Sequence, residues 1–147
     1  MLRSVGANDN EGARAMLRGF ATVTYFAEDL DAAEAWYAEL LGIEAYFQVP
    51  GGYKEFRVGD YGHELGLVQG SWAPHDLRAA PGGAIAYWHV DDLDAAVERL
   101  TAMGAKEYEP KTVRGDGFVT ASFLDPFGNV LGVMFNQHYL DVLGARR

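Results

Sequence analysis

Apolar and polar positions follow two rhythms along this chain, and the same succession of rhythms occurs twice. "FATVTYFA" (20–27) has the alternation of a half-buried strand. "EDLDAAEAWYAELLG" (28–42) then places Leu30, Ala33, Tyr37, Leu40 and Leu41 on one side of a helix. Three short strand-like runs follow, "IEAYFQV", "YKEFRVG" and "HELGLVQ", divided by "PGG" and "GDYG". Further on, "AIAYWHV" (84–90) leads into "DDLDAAVERLTAMGA" (91–105), with Leu93, Ala96, Val97, Leu100 and Met103 on one stripe. The runs "AKEYE", "GFVTASFL" and "NVLGVMF" come next, divided by "VRGDG" and "DPFGN". Asp29 and Asp92 are placed to cap the two helices. Asp31 and Asp94 fall in the first turns, where the helix dipole favours negative charge. Gly42 and Gly104 stand where a left-handed residue stops a helix.

Each half therefore reads β-α-β-β-β. One such half would be a four-stranded sheet with a helix on one face and nothing on the other. Two halves can enclose a cavity between their bare faces. The expected fold is α+β: two βαβββ modules paired by a pseudo-twofold, forming a curved mixed sheet around a cavity with helices outside. The expected organisation is a flexible extension (1–18), a first module (19–69), a linker rich in Gly, Pro and Ala (70–83), a second module (84–136) and a tail (137–147). "QHYLDVL" in that tail has helical spacing suited to docking on the body or on a partner subunit.

Composition narrows the function classes. The 147 residues are 49% hydrophobic and 22% charged, which is ordinary for a globular domain. No apolar run approaches the ~20 residues of a membrane span, and no apolar signal opens the chain, so a cytoplasmic location with no membrane partner is expected. Without cysteine, thiolate metal sites and cysteine nucleophiles are excluded. The formal charge of −9 argues against nucleic acid as a partner. It fits a neutral or cationic small molecule.

The paired βαβββ pattern, the two "(E/D)DLDAA" helix starts and "LDPFGNVLGVM" resemble the vicinal oxygen chelate superfamily over residues 19–136. That superfamily holds glyoxalase I, bleomycin-resistance proteins, extradiol dioxygenases and fosfomycin-resistance enzymes. The resemblance implies a homodimer. It also implies metal ligands, in the metal-dependent members, on the first and last strands of each module. Those positions fall here on Thr22, Gly66, Ile85 and Gly132. One neutral hydroxyl, two glycines and an isoleucine make no divalent-ion site, so no metal and no cofactor are expected. A displaced site would have to use Glu64 and His89, with Tyr87 or His75 beside them; a one-residue slip would bring in His63.

Strand alternation assigns Thr22, Thr24, Phe26, Glu64, Gly66, Val68, Ile85, Tyr87, His89, Val130, Gly132 and Met134 to the cavity face. Val23, Tyr25, Leu65, Leu67, Ala86, Trp88, Val90, Leu131, Val133 and Phe135 should pack under the helices. The expected ligand-binding set is Thr22, Thr24, Phe26, Glu64, Gly66, Ile85, Tyr87, His89, Gly132 and Met134, with the glycines leaving room for a bulky ligand. The expected function is metal-free binding of a small aromatic or cationic molecule, of the resistance or sequestration type. The alternatives are a metal-free isomerase, lyase or cyclase using Glu64 and His89 as acid and base, with burial raising the Glu64 pKa, a metal-dependent lyase or dioxygenase with a displaced site, and an interaction module with a filled core. Trp72 and His75, in the linker, either lid the cavity or pin the loop.

Overall fold

The structure is a computed structural model that describes residues 16–146, so most of the expected N-terminal extension lies outside the described residues. The elements follow the order β1 (Thr22–Ala27), α1 (Leu30–Leu41), β2 (Phe47–Val49), β3 (Tyr53–Val58), β4 (His63–Gln69), β5 (Ala86–His89), α2 (Leu93–Ala102), β6 (Lys106–Gly115), β7 (Phe118–Leu124), β8 (Val130–Asn136) and α3 (Gln137–Ala145). They build two four-stranded mixed sheets, ordered β1-β4-β3-β2 and β5-β8-β7-β6. In each, the first strand runs parallel to the last and the remaining neighbours are antiparallel. The paired βαβββ architecture is present. β1 and β5 are both sheet edges, and they border one cleft without a shared ladder, so the sheet is open at that seam.

Both helices start as their sequence dictates. The Asp29 carboxylate accepts from the Ala32 N–H and the Asp92 carboxylate from the Ala95 N–H, each at 3.0 Å. Gly42 closes α1 in the left-handed region, at φ 69°. The internal twofold is visible between the helices. Trp36 and Arg99 occupy matching positions after the two caps, and each reaches across to the end of the opposite helix. The Trp36 indole donates to the Met103 carbonyl at 2.9 Å, and the Arg99 guanidinium donates to the Glu39 carbonyl at 3.0 Å. One apolar core serves both modules, with Tyr25, Tyr37, Phe56, Leu65 and Leu67 continuous with Leu100, Phe123, Leu131 and Val133.

Three elements differ from expectation. Of "IEAYFQV" only Phe47–Val49 pairs as a strand. β6 runs on through Pro110 to Gly115, across a stretch that read as a turn. As an edge strand it tolerates a residue without an N–H, and its register shifts after Glu107, Glu109 and Val113 absorb the irregularity. Val23, expected under a helix, is 37% exposed and borders the gap between the two sheets.

Candidate functional site

The gap between β1 and β5 is a cleft of about 880 Å³, roofed by the linker and closed at one end by the β7–β8 turn. Its walls include Val23, Thr24, Phe26, Ile85 and Tyr87, with His75 and Leu77 above and Phe127 and Val130 at the end. The size and the mainly apolar lining are those of a small-molecule site. Local structure explains why the gap persists. The Asn129 side chain accepts from the Phe26 N–H at 3.0 Å and donates to the Phe26 carbonyl at 2.9 Å. The outward main-chain groups of β1 therefore belong to Phe26 and, by alternation, to Thr24. On β5 the Val90 N–H turns toward β8, to Met134, which leaves Tyr87 facing the cleft. His75 sits edge-on to Phe26 with ring centroids 4.9 Å apart, so this part of the linker covers the cleft. Trp72 does not. Its ring lies against the Gly52 backbone, where a Cβ would meet it at 1.8 Å, and it pins the linker to the β2–β3 turn.

Of the ten expected ligand-binding residues, Thr24, Phe26, Ile85 and Tyr87 line the cleft. The others lie on the sheet faces beyond it. On the first sheet the Thr22 hydroxyl donates to Glu64 at 2.7 Å, and Arg57 pairs with the same carboxylate at 2.9 Å. Arg57 also donates to the Gly62 carbonyl and lies over the Tyr46 ring. Glu64 is thus a part-exposed, charge-balanced carboxylate rather than a buried acid. Gly66 does not leave open room. A Cβ there would stand 2.7 Å from the Tyr53 ring, and the Tyr53 hydroxyl donates to Glu55 at 2.6 Å. Burial, with the Glu64 charge in support, raises the Tyr53 phenol above its ordinary value.

The second sheet repeats the device. The Tyr87 ring covers Gly132, where a Cβ would stand 2.6 Å from it. The Tyr87 hydroxyl reaches Glu109 at 3.4 Å, the buried Ser122 donates to the same carboxylate at 3.0 Å, and Arg114 approaches it at 3.6 Å. Burial and then the Glu109 charge raise the Tyr87 phenol. Met134 lies opposite His89 in the β5–β8 pairing. The His89 side chain is only 7% exposed. Its Nδ1 accepts from the Asn136 N–H at 3.2 Å, its Nε2 meets Asp91 at 3.0 Å, and its ring stacks on Tyr139 of α3 at 4.7 Å. α3 therefore docks on the body of the chain. Tyr139 in turn donates to Asp60 at 2.7 Å, and burial with that bond pushes its phenol up to about 12.

The four positions at which metal-dependent relatives carry ligands do not fit a metal. The Thr22 hydroxyl is directed at Glu64, Ile85 offers no donor, and tyrosine rings occupy the space in front of both glycines. Among the described residues no three His, Asp or Glu side chains converge on one point. The expectation that the glycines widen the cavity is corrected for the same reason: a side chain deleted on one strand is replaced by an aromatic ring from a neighbouring strand.

Tyr53, Glu55, Glu109 and Asn129 escaped the sequence reading. For the first three the signal is alternation along β3 and β6, strands that stand between the first and last of their module in chain order. For Asn129 there was no signal beyond a turn motif.

The model of the glyoxalase/bleomycin resistance protein/dioxygenase superfamily matches residues 19–133. No curated protein matches the chain. Among solved structures, a lactoylglutathione lyase from Agrobacterium tumefaciens is 25% identical with a TM-score of 0.59, over 80% of this chain and 92% of that one. A glyoxalase/bleomycin resistance protein from Catenulispora acidiphila is 25% identical with a TM-score of 0.54, over 77% and 94%. A genomically encoded fosfomycin resistance protein from Listeria monocytogenes shares the fold, at 19% identity and a TM-score of 0.63, over 81% and 93%. With the matched segment spanning both βαβββ modules, the chain belongs to the glyoxalase/bleomycin resistance protein/dioxygenase superfamily.

Proposed function

We propose that this chain binds a small organic molecule, aromatic and neutral or cationic, in the cleft between β1 and β5, and does so without a metal. It acts by sequestration rather than turnover, as a cytoplasmic homodimer. The observation that carries the reading is the pair of tyrosine rings over Gly66 and Gly132. They stand where a metal ligand would project and present aromatic surface beside an apolar cleft. Exposed Phe20, Val49 and Val113 offer apolar surface for a second subunit. The acid/base pairing of Glu64 with His89 gains no support from the geometry. Glu64 is committed to Arg57 and Thr22, and His89 to Asp91 and the Asn136 N–H.

Elemental mass spectrometry on protein purified without a metal-affinity column, followed by thermal denaturation with Ni²⁺, Mn²⁺, Fe²⁺, Zn²⁺ and a panel of aromatic amines and alcohols, tests the reading. Sub-stoichiometric metal, no saturable stabilisation by an ion and a rise in Tm with an aromatic compound are expected. A stoichiometric metal, or saturable stabilisation by one ion, would overturn it.

A further inference from the structure

The carboxylates on the two open sheet faces are not equally satisfied. Glu64 has Arg57 at 2.9 Å, and Glu109 has Arg114 at 3.6 Å. Glu55 has neither: among the described residues no lysine, arginine or histidine lies within ion-pair reach of it. The Tyr53 hydroxyl holds its Oε1 at 2.6 Å, which orients the group without neutralising it. The nearest cation along its own strand face, Arg57, is already held by Glu64, the Gly62 carbonyl and the Tyr46 ring.

What surrounds Glu55 is aromatic. Phe47 is its direct cross-strand neighbour, 50% exposed, with its ring 6.3 Å from that of Tyr53 and tilted by 64°. On the other side the row continues through Gly66 to Thr24. Gly66 has no side chain to rise above the sheet, and the Tyr53 ring occupies that space. Thr24 lines the cleft. Glu55, a carboxylate without a counter-ion, thus stands in one cross-strand row with Gly66 and with Thr24 at the border of the cleft. Two strand spacings, roughly 10 Å, separate Thr24 from Glu55.

We infer that Glu55, with Phe47 and Tyr53, seats the positively charged nitrogen of an amine whose aromatic body occupies the cleft. This rests on the proposed binding function and assigns its charge selectivity to one residue. A carboxylate supplies the opposite charge, and the adjoining aromatic rings add the attraction that their quadrupoles offer a cation. The second sheet lacks such a seat, because Ser122, Tyr87 and Arg114 already surround Glu109.

The test is an amide-resolved NMR titration of the whole chain with 3-phenylpropylammonium and, as its uncharged match, 3-phenylpropanol. Both should shift the amides of Thr24 and Tyr87. The amine alone should shift Glu55 and Phe47, and should bind about tenfold tighter at low salt, the order expected for one charge-assisted contact. Glu55→Gln, which keeps an acceptor for Tyr53, should remove that difference and leave the alcohol unchanged. Glu109→Gln should leave both unchanged. Equal binding of amine and alcohol, or a difference that survives Glu55→Gln, would overturn the Glu55 assignment while the aromatic-binding function stands. If neither compound moves an amide of the cleft, both readings fall.

Discussion

Compare the two turns that lead into the last strand of each module. The β7–β8 turn, "DPFGN", is tied from within. Asp125 is buried and accepts from the Phe127 and Asn129 main chains, the Asn129 amide and the Tyr37 hydroxyl of α1. Burial, with the Asp125 charge behind it, holds the Tyr37 phenol well above its ordinary range. The β3–β4 turn, "GDYG", sits at the matching place but is open, and its link to the other module runs through Asp60 and Tyr61 to Tyr139 of α3. Each turn thus grips the opposite module, the first by a buried carboxylate network and the second through an exposed helix. The same duality marks the sheet faces. The surfaces that pack on helices repeat closely, Leu65 with Leu131 and Leu67 with Val133, whereas the open faces carry the same elements (Gly, Tyr, Glu, Arg) in different connections. A repeat is held to one pattern where it packs and is free to differ where it does not.

The sharpest way to break the comparison is Asp125→Ala. It strands several donors in a buried place and should cost about 3 kcal/mol or more, with a large fall in Tm, whereas Asp60→Ala should cost about 1 kcal/mol or less. Denaturant unfolding of the two variants decides, and equal losses would refute the asymmetry. Next come the glycines. At Gly132 an added Cβ meets not only the Tyr87 ring but also the Ala86 carbonyl at 2.9 Å, which cannot swing away, so Gly132→Ala should cost about 2 kcal/mol. At Gly66 the obstacle is the far end of Tyr53, which can turn, and Gly66→Ala should cost about 1 kcal/mol or less.

Alkali should separate the grips without mutation. A phenol whose pKa is raised on folding gives stability that is complete below its unfolded value near 10 and is lost as pH rises through the folded value. For Tyr139 that window runs from about 10 to about 12. Loss of α3 contacts, followed by amide exchange at residues 137–145, should precede loss of the core. In Tyr139→Phe that early step should vanish. The smallest effect belongs to Glu64→Gln, at roughly 0.5 kcal/mol, as expected for a part-exposed ion pair; a loss above 2 kcal/mol would make Glu64 far more than a surface partner.

The sequence showed the repeated unit because caps, stripes and turn residues are local signals. Asp29, Asp92 and Gly42 act where they stand. Tyr25, Leu65, Leu67, Leu131 and Val133 are in the core as alternation required. The site was less legible because its shape depends on what neighbouring strands contribute. Nothing near Gly66 or Gly132 in the chain says that a tyrosine from another strand will cover it. Nothing about His89 says that Tyr139 will stack on it. The extension of β6 through Pro110 has a related cause: an edge position, which only the assembled sheet defines, excuses a proline that an inner strand would reject.

Asn129 has a wider meaning than closing one end of a cleft. Its amide offers Phe26 one donor and one acceptor, the pair that a neighbouring strand would offer. β1 is thereby given a counterfeit partner one residue long. A bare strand edge is a template on which other chains can assemble, and here the template is spoiled at Phe26 by a side chain that cannot propagate a ladder. The molecule can keep two edges apart, with space between them for a guest, and still not invite its neighbours to polymerise along that end of the gap.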